Sequence, residues 1–216
     1  MKAKIDDVVI LKDVSKSFKG HTVLDDISIS FERNKIHGIV GRNGSGKTVL
    51  IKTICGFVKP DEGEVIVDGE HIGEDVDFPE SVGVIIEAPG FIPTLSAYKN
   101  LRYLASIRNK IGDTEICAAI EAVGLNPKER KAVGKYSLGM RQRLGIVQAI
   151  MEKPDILILD EPMNALDSEG VSIIRNLLMN YCREGHTIIL ISHNREDIDI
   201  LCDTVSYLKD GKISQA

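Results

Sequence analysis

The sequence contains no long apolar run and few cysteines, and each shortage excludes a class of protein. No stretch approaches the roughly 20 apolar residues needed to cross a bilayer, so the chain is expected not to span a membrane, although it can lie against a protein that does. The cysteines are scattered without a C-x-x-C pair, which argues against a zinc site and against a disulfide scaffold. They are Cys55, Cys117, Cys182 and Cys202. In a chain with no signal peptide, such thiols indicate a reducing cytosol.

Positive charge is not in excess either, since 27 Lys and Arg residues stand against 32 Asp and Glu residues, a formal net charge of −5. This balance gives no basis for a broad basic face, and the basic run over 128–135 is interpreted as a solvated helix face. We therefore expect no nucleic-acid partner. Four histidines show no metal-ligand spacing and are expected at the surface or in the core: His21, His37, His71 and His186.

Short apolar runs separated by turn residues predict β-strands near both ends of the chain. They cover residues 8–11, 27–31, 36–40, 65–67, 156–159, 187–192 and 204–208. Helical spacing covers 97–108, 114–123, 141–151 and 168–182. The late strands are continuously apolar, as in a parallel sheet that is covered on both faces. The pattern predicts an α/β fold with a β-rich N-terminal part and a helical insert near 90–150.

One segment fits the phosphate-loop pattern G-x-x-x-x-G-K-[ST] between a predicted strand and a predicted helix. It comprises Gly41, Arg42, Asn43, Gly44, Ser45, Gly46, Lys47 and Thr48. The glycines allow backbone N–H groups to surround phosphate oxygens, and the helix over 49–55 adds its positive dipole end. Lys47 is expected to reach the β- and γ-phosphates, and the Thr48 hydroxyl to bind Mg²⁺.

Two adjacent carboxylates, Asp160 and Glu161, directly follow the apolar strand at 156–159. Buried charge is costly unless it is paired or binds a metal. At the carboxyl end of a parallel strand, both side chains can point into a ligand crevice. We expect Asp160 to hold Mg²⁺ and Glu161 to orient or deprotonate an attacking water. Together with the phosphate loop, the pair indicates nucleoside-triphosphate hydrolysis.

Further motifs along the chain resemble those of the ATP-binding-cassette (ABC) ATPases. The segment 136–144, Y-S-L-G-M-R-Q-R-L, resembles the family's L-S-G-G-Q signature, and 164–167 resembles its D-loop. His193, after an apolar strand, resembles the switch histidine, and Phe18 occupies the place of the adenine-stacking aromatic. The resemblance implies a P-loop NTPase core with an N-terminal antiparallel β subdomain and an inserted helical subdomain, within a single ATP-binding domain over 1–216.

The signature segment has Leu138 where the family usually has Gly and Met140 where it usually has Gln, but it keeps Ser137 and Gly139. A hydroxyl, exposed N–H groups and a helix dipole there form a second anion site. One chain already has its phosphate loop, so a second anion site suggests that two chains share one nucleotide. The resemblance implies the same: two cassettes, identical or homologous, pack head to tail on binding ATP, and each signature closes over the other's nucleotide.

The remaining motif residues take their roles from the same resemblance. His193 would contact the γ-phosphate, and Asp167 would link the two halves of the dimer. With Glu161 and Lys47, His193 completes the expected catalytic set for converting ATP and water into ADP and phosphate.

The stretch V-G-V-I-I-E-A-P-G-F places Glu87 at the end of an apolar strand, where most of the family has the Gln of the Q-loop. That position contacts Mg²⁺ and the attacking water, so Glu87 is expected to be a metal ligand and to tie loop position to Mg·ATP more tightly than an amide would. Glu87 and the signature segment together resemble one branch, the exporters similar to bacitracin and lantibiotic self-protection transporters.

The resemblance implies an ATP-hydrolysing exporter subunit at the cytoplasmic face of the cell membrane, with the pore on separate permease subunits. A groove at Phe91, Pro93, Leu95 and Tyr98 would receive a short helix from the permease. The alternative is a soluble ABC ATPase with a mechanical or assembly role, but the chain has no coiled-coil insertion, second cassette or basic tail. A binding module without catalysis is disfavoured because Lys47, Asp160, Glu161 and His193 are all present.

Overall fold

The computed structural model describes residues 7–87 and 90–215. The strands are β1 (Asp7–Phe18), β2 (His21–Glu32), β3 (Ile36–Val40), β4 (Glu62–Val67), β5 (Glu70–His71), β6 (Val82–Ile85), β7 (Ile156–Asp160), β8 (Thr187–Ile191), β9 (Thr204–Lys209) and β10 (Lys212–Gln215). The helices are α1 (Lys47–Ile54), α2 (Ala97–Arg108), α3 (Asp113–Ala122), α4 (Leu138–Ile150), α5 (Ser168–Arg183) and α6 (Arg195–Leu201). None of these described helices is both long and apolar enough to cross a membrane.

Six strands form one sheet in the order β10-β9-β3-β8-β7-β6, in which β10 alone runs antiparallel to its neighbour. Strand β7 is apolar along its length because its alternate residues enter two different cores. Leu157 and Leu159 pack with the core formed by α2–α5, whereas Ile156 and Ile158 pack with the core under β1, β2 and α1. The predicted α/β fold, with a parallel sheet covered on both faces, is therefore confirmed.

A second sheet is antiparallel, with the order β2-β1-β4-β5, and it packs over α1 and the parallel sheet. Its first two strands are longer than the apolar pattern predicts, because β1 reaches Phe18 and β2 begins at His21. Most of the extra residues are polar and exposed or half-buried, although Val14 and Leu24 are buried. The pairing shifts register near Asp13 and Asp26, which both have positive φ. Such irregularities interrupt the period-two alternation on which the prediction depends.

The structure differs from the sequence-based prediction at two elements near the C-terminus and at one predicted helix. Helix α6 was not predicted because its seven residues are mostly charged, and only Ile198 and Leu201 supply a buried apolar face. Strand β10 was not predicted either, and it pairs with β9 across a turn at Asp210-Gly211. The basic run over 128–135 is largely exposed, as expected, but it forms turns and a 3₁₀ helix over Val133–Lys135 rather than an α-helix.

The sheet order brings four predicted motifs to one edge. Strands β3, β8, β7 and β6 are consecutive neighbours and parallel, so their carboxyl ends lie side by side. The phosphate loop follows β3, His193 follows β8, Asp160 ends β7, and Glu87 follows β6. In open α/β sheets this edge is where ligands bind.

Candidate active site

The phosphate loop turns sharply from β3 into α1, and glycine permits the turn. Gly46 is the N-cap of α1 with φ 104°, and a Cβ there would lie 2.8 Å from the carbonyl oxygen of Val23. Only glycine adopts such a φ readily and accepts so close a backbone. The Lys47 side chain is buried and donates from Nζ to the carbonyl oxygens of Gly41 (2.7 Å) and Arg42 (3.0 Å). Its ammonium therefore lies within the loop that would surround a phosphate.

The loop and the acidic pair line one cavity of about 450 Å³. Its walls include Asn43, Lys47 and Thr48 on one side and Asp160 and Glu161 on the other. Thr48 Oγ1 donates to Asp160 Oδ2 across 3.4 Å, a long hydrogen bond. The structure thus joins two predicted half-sites that are more than 100 residues apart in sequence.

The two adjacent carboxylates in this cavity are suited to binding a cation. Burial raises the pKa of Asp160, and the adjacent Glu161 carboxylate raises it further, while Lys47 and the Thr48 hydroxyl act in the opposite direction. Hydroxyl and carboxylate oxygens are the donors that Mg²⁺ prefers, usually together with substrate phosphates and water. The residues present fit a Mg²⁺ that is held jointly with a phosphate chain.

Glu161 and His193 form a hydrogen-bonded pair beside this cavity. Glu161 Oε1 accepts from the His193 backbone N–H (3.1 Å) and lies 2.7 Å from His193 Nδ1. The Glu161 side chain is mostly buried, whereas His193 is exposed, and Glu161 has a φ of 50°. Positive φ in a non-glycine residue is costly and tends to occur at functional positions. The structure therefore brings together Glu161, predicted to act on the attacking water, and His193, predicted to contact the γ-phosphate.

Glu87 lies at the same edge, but its carboxylate has a partner that sequence reasoning missed. Glu87 Oε1 accepts from Lys52 Nζ at 2.9 Å, and the Glu87 side chain is 67% exposed. Glu87 also has a positive φ of 61°. The next two residues, Ala88 and Pro89, lie outside the described residues.

The signature segment forms the first turn of α4. Ser137 is the N-cap, and its Oγ accepts from the Met140 backbone N–H at 3.2 Å. Leu138 is exposed, so the usual glycine is not sterically required there. Gly139 is different, because a Cβ at this position would lie 2.7 Å from the Ala165 carbonyl oxygen. The first turn of α4 therefore packs directly on the backbone of the D-loop.

Replacing Gly139 with Ala is expected to lower the thermal stability of the protein. The added methyl group meets a backbone oxygen that has little room to move, and overpacking of this kind costs about 1–3 kcal/mol. Leu138→Ala is the matched control, since it alters an exposed position of the same helical turn. Thermal unfolding of both variants checks the prediction, and an unchanged melting temperature for Gly139→Ala would contradict the close contact.

Asp167 joins the D-loop to both adjacent helices. It is the N-cap of α5, and its Oδ1 accepts from Gly170 N–H at 2.8 Å and from Arg143 Nη2 at 2.9 Å. These two donors hold the pKa of Asp167 below its ordinary value. From α4, Gln142 Nε2 reaches the carbonyl oxygens of Glu161 and Pro162, at 3.3 Å each. No role was predicted for Gln142 or Arg143. Their place on the helix that begins at the predicted anion site could have indicated that they contact the neighbouring motif.

The signature and the D-loop enclose a second cavity, of about 420 Å³. Ser137, Gly139 and Met140 line one side of this cavity, and Ala165 and Asp167 line the other. It is distinct from the cavity at the phosphate loop, since the two have no lining residue in common. Each of the two predicted anion sites therefore lines a cavity of its own.

Phe18 and the predicted docking residues lie apart from these cavities. Phe18 ends β1 with its ring exposed and 5.5 Å from Lys16 Nζ, and it does not line the cavity at the phosphate loop. Phe91 and Tyr98 are half-buried and pack on the larger core, and Leu95 is also half-buried, while Pro93 is exposed.

Comparisons with known proteins agree with this geometry. Residues 24–164 match the family model described as ABC transporter. The chain is 44% identical over 201 residues to the uncharacterized ABC transporter ATP-binding protein YybJ of Bacillus subtilis (strain 168), covering 93% of this chain and 92% of that protein. It is 39% identical over 208 residues to the bacitracin transport ATP-binding protein BcrA of Enterococcus faecalis, covering 95% and 68%.

The lantibiotic transport ATP-binding protein SrtF of Streptococcus pyogenes is 32% identical over 204 residues, covering 94% of this chain and 87% of that protein. Among solved structures, the dimeric bacterial ABC transporter cassette MJ0796 superposes with a TM-score of 0.86 at 24% identity, covering 95% of this chain and 96% of that one. The predicted resemblance, including the bacitracin and lantibiotic branch, is thus confirmed. The chain belongs to the ABC transporter family, among its ATP-binding proteins.

Proposed function

We propose that this chain is the ATP-hydrolysing subunit of a membrane exporter. The observation that carries the proposal is the convergence of Lys47, Thr48, Asp160, Glu161 and His193 at one edge of the sheet. The reaction is the hydrolysis of ATP to ADP and phosphate. Its coupling to export is supported by the likeness to relatives that are named for bacitracin and lantibiotic transport.

In the proposed reaction, the chain supplies positioning and a base. The phosphate loop binds the triphosphate through its backbone N–H groups, and Lys47 neutralises charge on the β- and γ-phosphates. Glu161 accepts the proton of the attacking water, and His193 holds the Glu161 carboxylate and contacts the γ-phosphate. The 2.7 Å contact between Glu161 and His193 supports this division of roles.

We assign three residues to a Mg²⁺ ion bound with the nucleotide: Thr48, Asp160 and Glu87. When it is bound, Mg²⁺ neutralises charge on the phosphate oxygens during transfer. The hydrogen bond between Thr48 and Asp160 and the raised pKa of Asp160 support their part in this assignment. Glu87 is included because of its position: it follows β6, the strand that pairs with β7.

The second cavity supports a dimer in which each signature segment covers the nucleotide of the other chain. Ser137 and Gly139 at the N-terminus of α4 offer a hydroxyl and N–H groups to a γ-phosphate. Leu138 and Met140 then lie at the same interface, and Asp167 connects the two halves. Phe18 would stack on the adenine, and its exposed ring is compatible with that role. The partner is a second copy or a homologous cassette.

The chain would act as a single ATP-binding domain, with the segment at about 90–150 as its inserted helical subdomain. We place it at the cytoplasmic face of the membrane, held there by permease subunits that carry the pore. The half-buried residues Phe91, Leu95 and Tyr98 would form the groove for a permease helix. The exported compound would be a peptide antibiotic, a drug or a similar amphipathic molecule.

Co-expression with the product of the adjacent gene, which this function requires to be a membrane protein, tests the proposal. We expect the chain to co-purify with that protein in detergent and the pair to protect cells from a peptide antibiotic such as bacitracin. Lys47→Ala is the matched control, since it should still assemble but lose both ATP hydrolysis and protection. A chain that hydrolyses ATP but fractionates without any membrane protein would instead favour the soluble assembly role.

A further inference from the structure

Lys52 is a charged residue near the phosphate loop that has no part in the proposed hydrolysis. It lies on α1, four residues after Thr48, and residues four apart share one face of a helix. Its Nζ lies 2.9 Å from Glu87 Oε1, although the two residues are 35 positions apart in sequence. The pair therefore joins the helix that carries a proposed metal ligand to the residue that follows β6.

The Lys52–Glu87 pair holds the Glu87 carboxylate only loosely. Its side chain is 67% exposed and Lys52 is 34% exposed, so water screens the attraction between them. Exposed ion pairs contribute little net stability and open readily. Glu87 can therefore exchange its ammonium partner for another cation at small cost.

Glu87 also lies at the same edge of the sheet as the proposed metal site. Strand β6 runs parallel to β7 with Ile85 opposite Leu159, which places Glu87 beside the end of β7 that carries Asp160. The charge of Glu87 contributes to the raised pKa of Asp160, after larger contributions from burial and Glu161. Glu87 is thus close enough to Asp160 to act on it, and at the same time bonded to Lys52.

From this geometry we infer that Lys52 is a positioning residue that competes with the divalent cation for the Glu87 carboxylate. The inference rests on the proposed function, in which Glu87 contacts Mg²⁺. Direct ligation of Mg²⁺ uses carboxylate oxygen at about 2.1 Å, and Oε1 is already bonded to the ammonium. Because the ammonium and Mg²⁺ repel each other at one carboxylate, binding of Mg²⁺ by Glu87 weakens the Lys52 pair even where the ion takes the other oxygen. A glutamine at position 87 could not form such a pair, so the competition depends on the carboxylate.

The test measures how Mg²⁺ promotes the binding of a fluorescent, non-hydrolysable ATP analogue. Lys52→Met removes the charge but keeps the length of the side chain, and it should lower the Mg²⁺ concentration for half-maximal binding about two- to five-fold, as expected for the loss of an exposed ion pair. Lys52→Arg keeps the charge and should restore the parent value. Lys59→Met removes an exposed positive charge from the same part of the chain and should leave the Mg²⁺ dependence unchanged.

The decisive arm repeats Lys52→Met in a Glu87→Gln background, where no further shift is expected. A shift of the same size there would mean that Lys52 acts through the general field of the site, and the inference would be overturned. An unchanged Mg²⁺ dependence in Lys52→Met alone would overturn it as well. Failure of the parent protein to bind the analogue in Mg²⁺ would instead contradict the proposed function, so the two failures are distinguishable.

Discussion

Glu161→Gln is expected to lower the rate of ATP hydrolysis by about 10²- to 10⁴-fold, the usual contribution of a general base. The amide keeps the shape of the side chain, and its oxygen can still accept from the backbone N–H of His193, as Glu161 Oε1 does at 3.1 Å. It cannot take a proton from water. The variant should therefore fold and bind ATP normally while its hydrolytic step is blocked.

Because the nucleotide is not consumed, Glu161→Gln should also accumulate as a dimer in excess Mg·ATP. Size-exclusion chromatography with and without nucleotide measures this, and single-turnover hydrolysis measures the chemical step. Glu121→Gln is the control, since it makes the same substitution at an exposed position of α3. If Glu161→Gln remained monomeric in Mg·ATP, the head-to-tail arrangement would be wrong. If it kept full turnover, Glu161 would not be the base.

Asp197→Ala is expected to cause the largest loss of stability. Asp197 is 1% exposed, and its Oδ1 accepts from Arg175 Nε at 2.9 Å and from Nη2 at 2.6 Å. Removal of one partner leaves the other charge largely buried, and breaking such a pair costs about 3–5 kcal/mol. In a chain of this size each kcal/mol lowers the melting temperature by roughly 2–4 °C, so a fall of about 6 °C or more is expected.

Glu196→Ala provides an unusually close control for this prediction. Glu196 is the neighbouring residue and pairs with the same guanidinium at 3.2 Å, but its side chain is 68% exposed. Thermal unfolding should show a much smaller change for this variant than for Asp197→Ala. Equal losses from the two substitutions would show that burial of Asp197 is not what makes the contact strong.

The stability of this contact also affects the active site. Helix α6 begins two residues after His193, and the Arg175–Asp197 pair fixes it against α5. The backbone N–H of His193 holds Glu161, so a loosened α6 should reduce hydrolysis even at temperatures where the variant is folded. This connection between the Arg175–Asp197 pair and His193 could not be predicted from the sequence, because α6 itself was not predicted.

The parts of the site that the sequence predicts are those encoded in short continuous segments. The phosphate loop requires glycines, Lys47 and Thr48 at fixed spacing. Asp160 is recognisable because it is a charged residue directly after an apolar strand. The contacts that could not be predicted from the sequence join distant segments: Lys52 with Glu87, Arg143 with Asp167, and Gln142 with the carbonyl of Glu161. Such pairs depend on which helix faces fold together, and a single sequence carries no periodicity that would identify them.

The order of strands in the parallel sheet also constrains how the protein is made. Strand β8 lies between β3 and β7, yet it is synthesised after both of them. Until residues 187–191 have left the ribosome, the strand carrying the phosphate loop and the strand carrying Asp160 have no hydrogen-bonded neighbour in common. A nascent chain can therefore form the antiparallel sheet early, but it acquires a complete catalytic edge only after β8 has been synthesised.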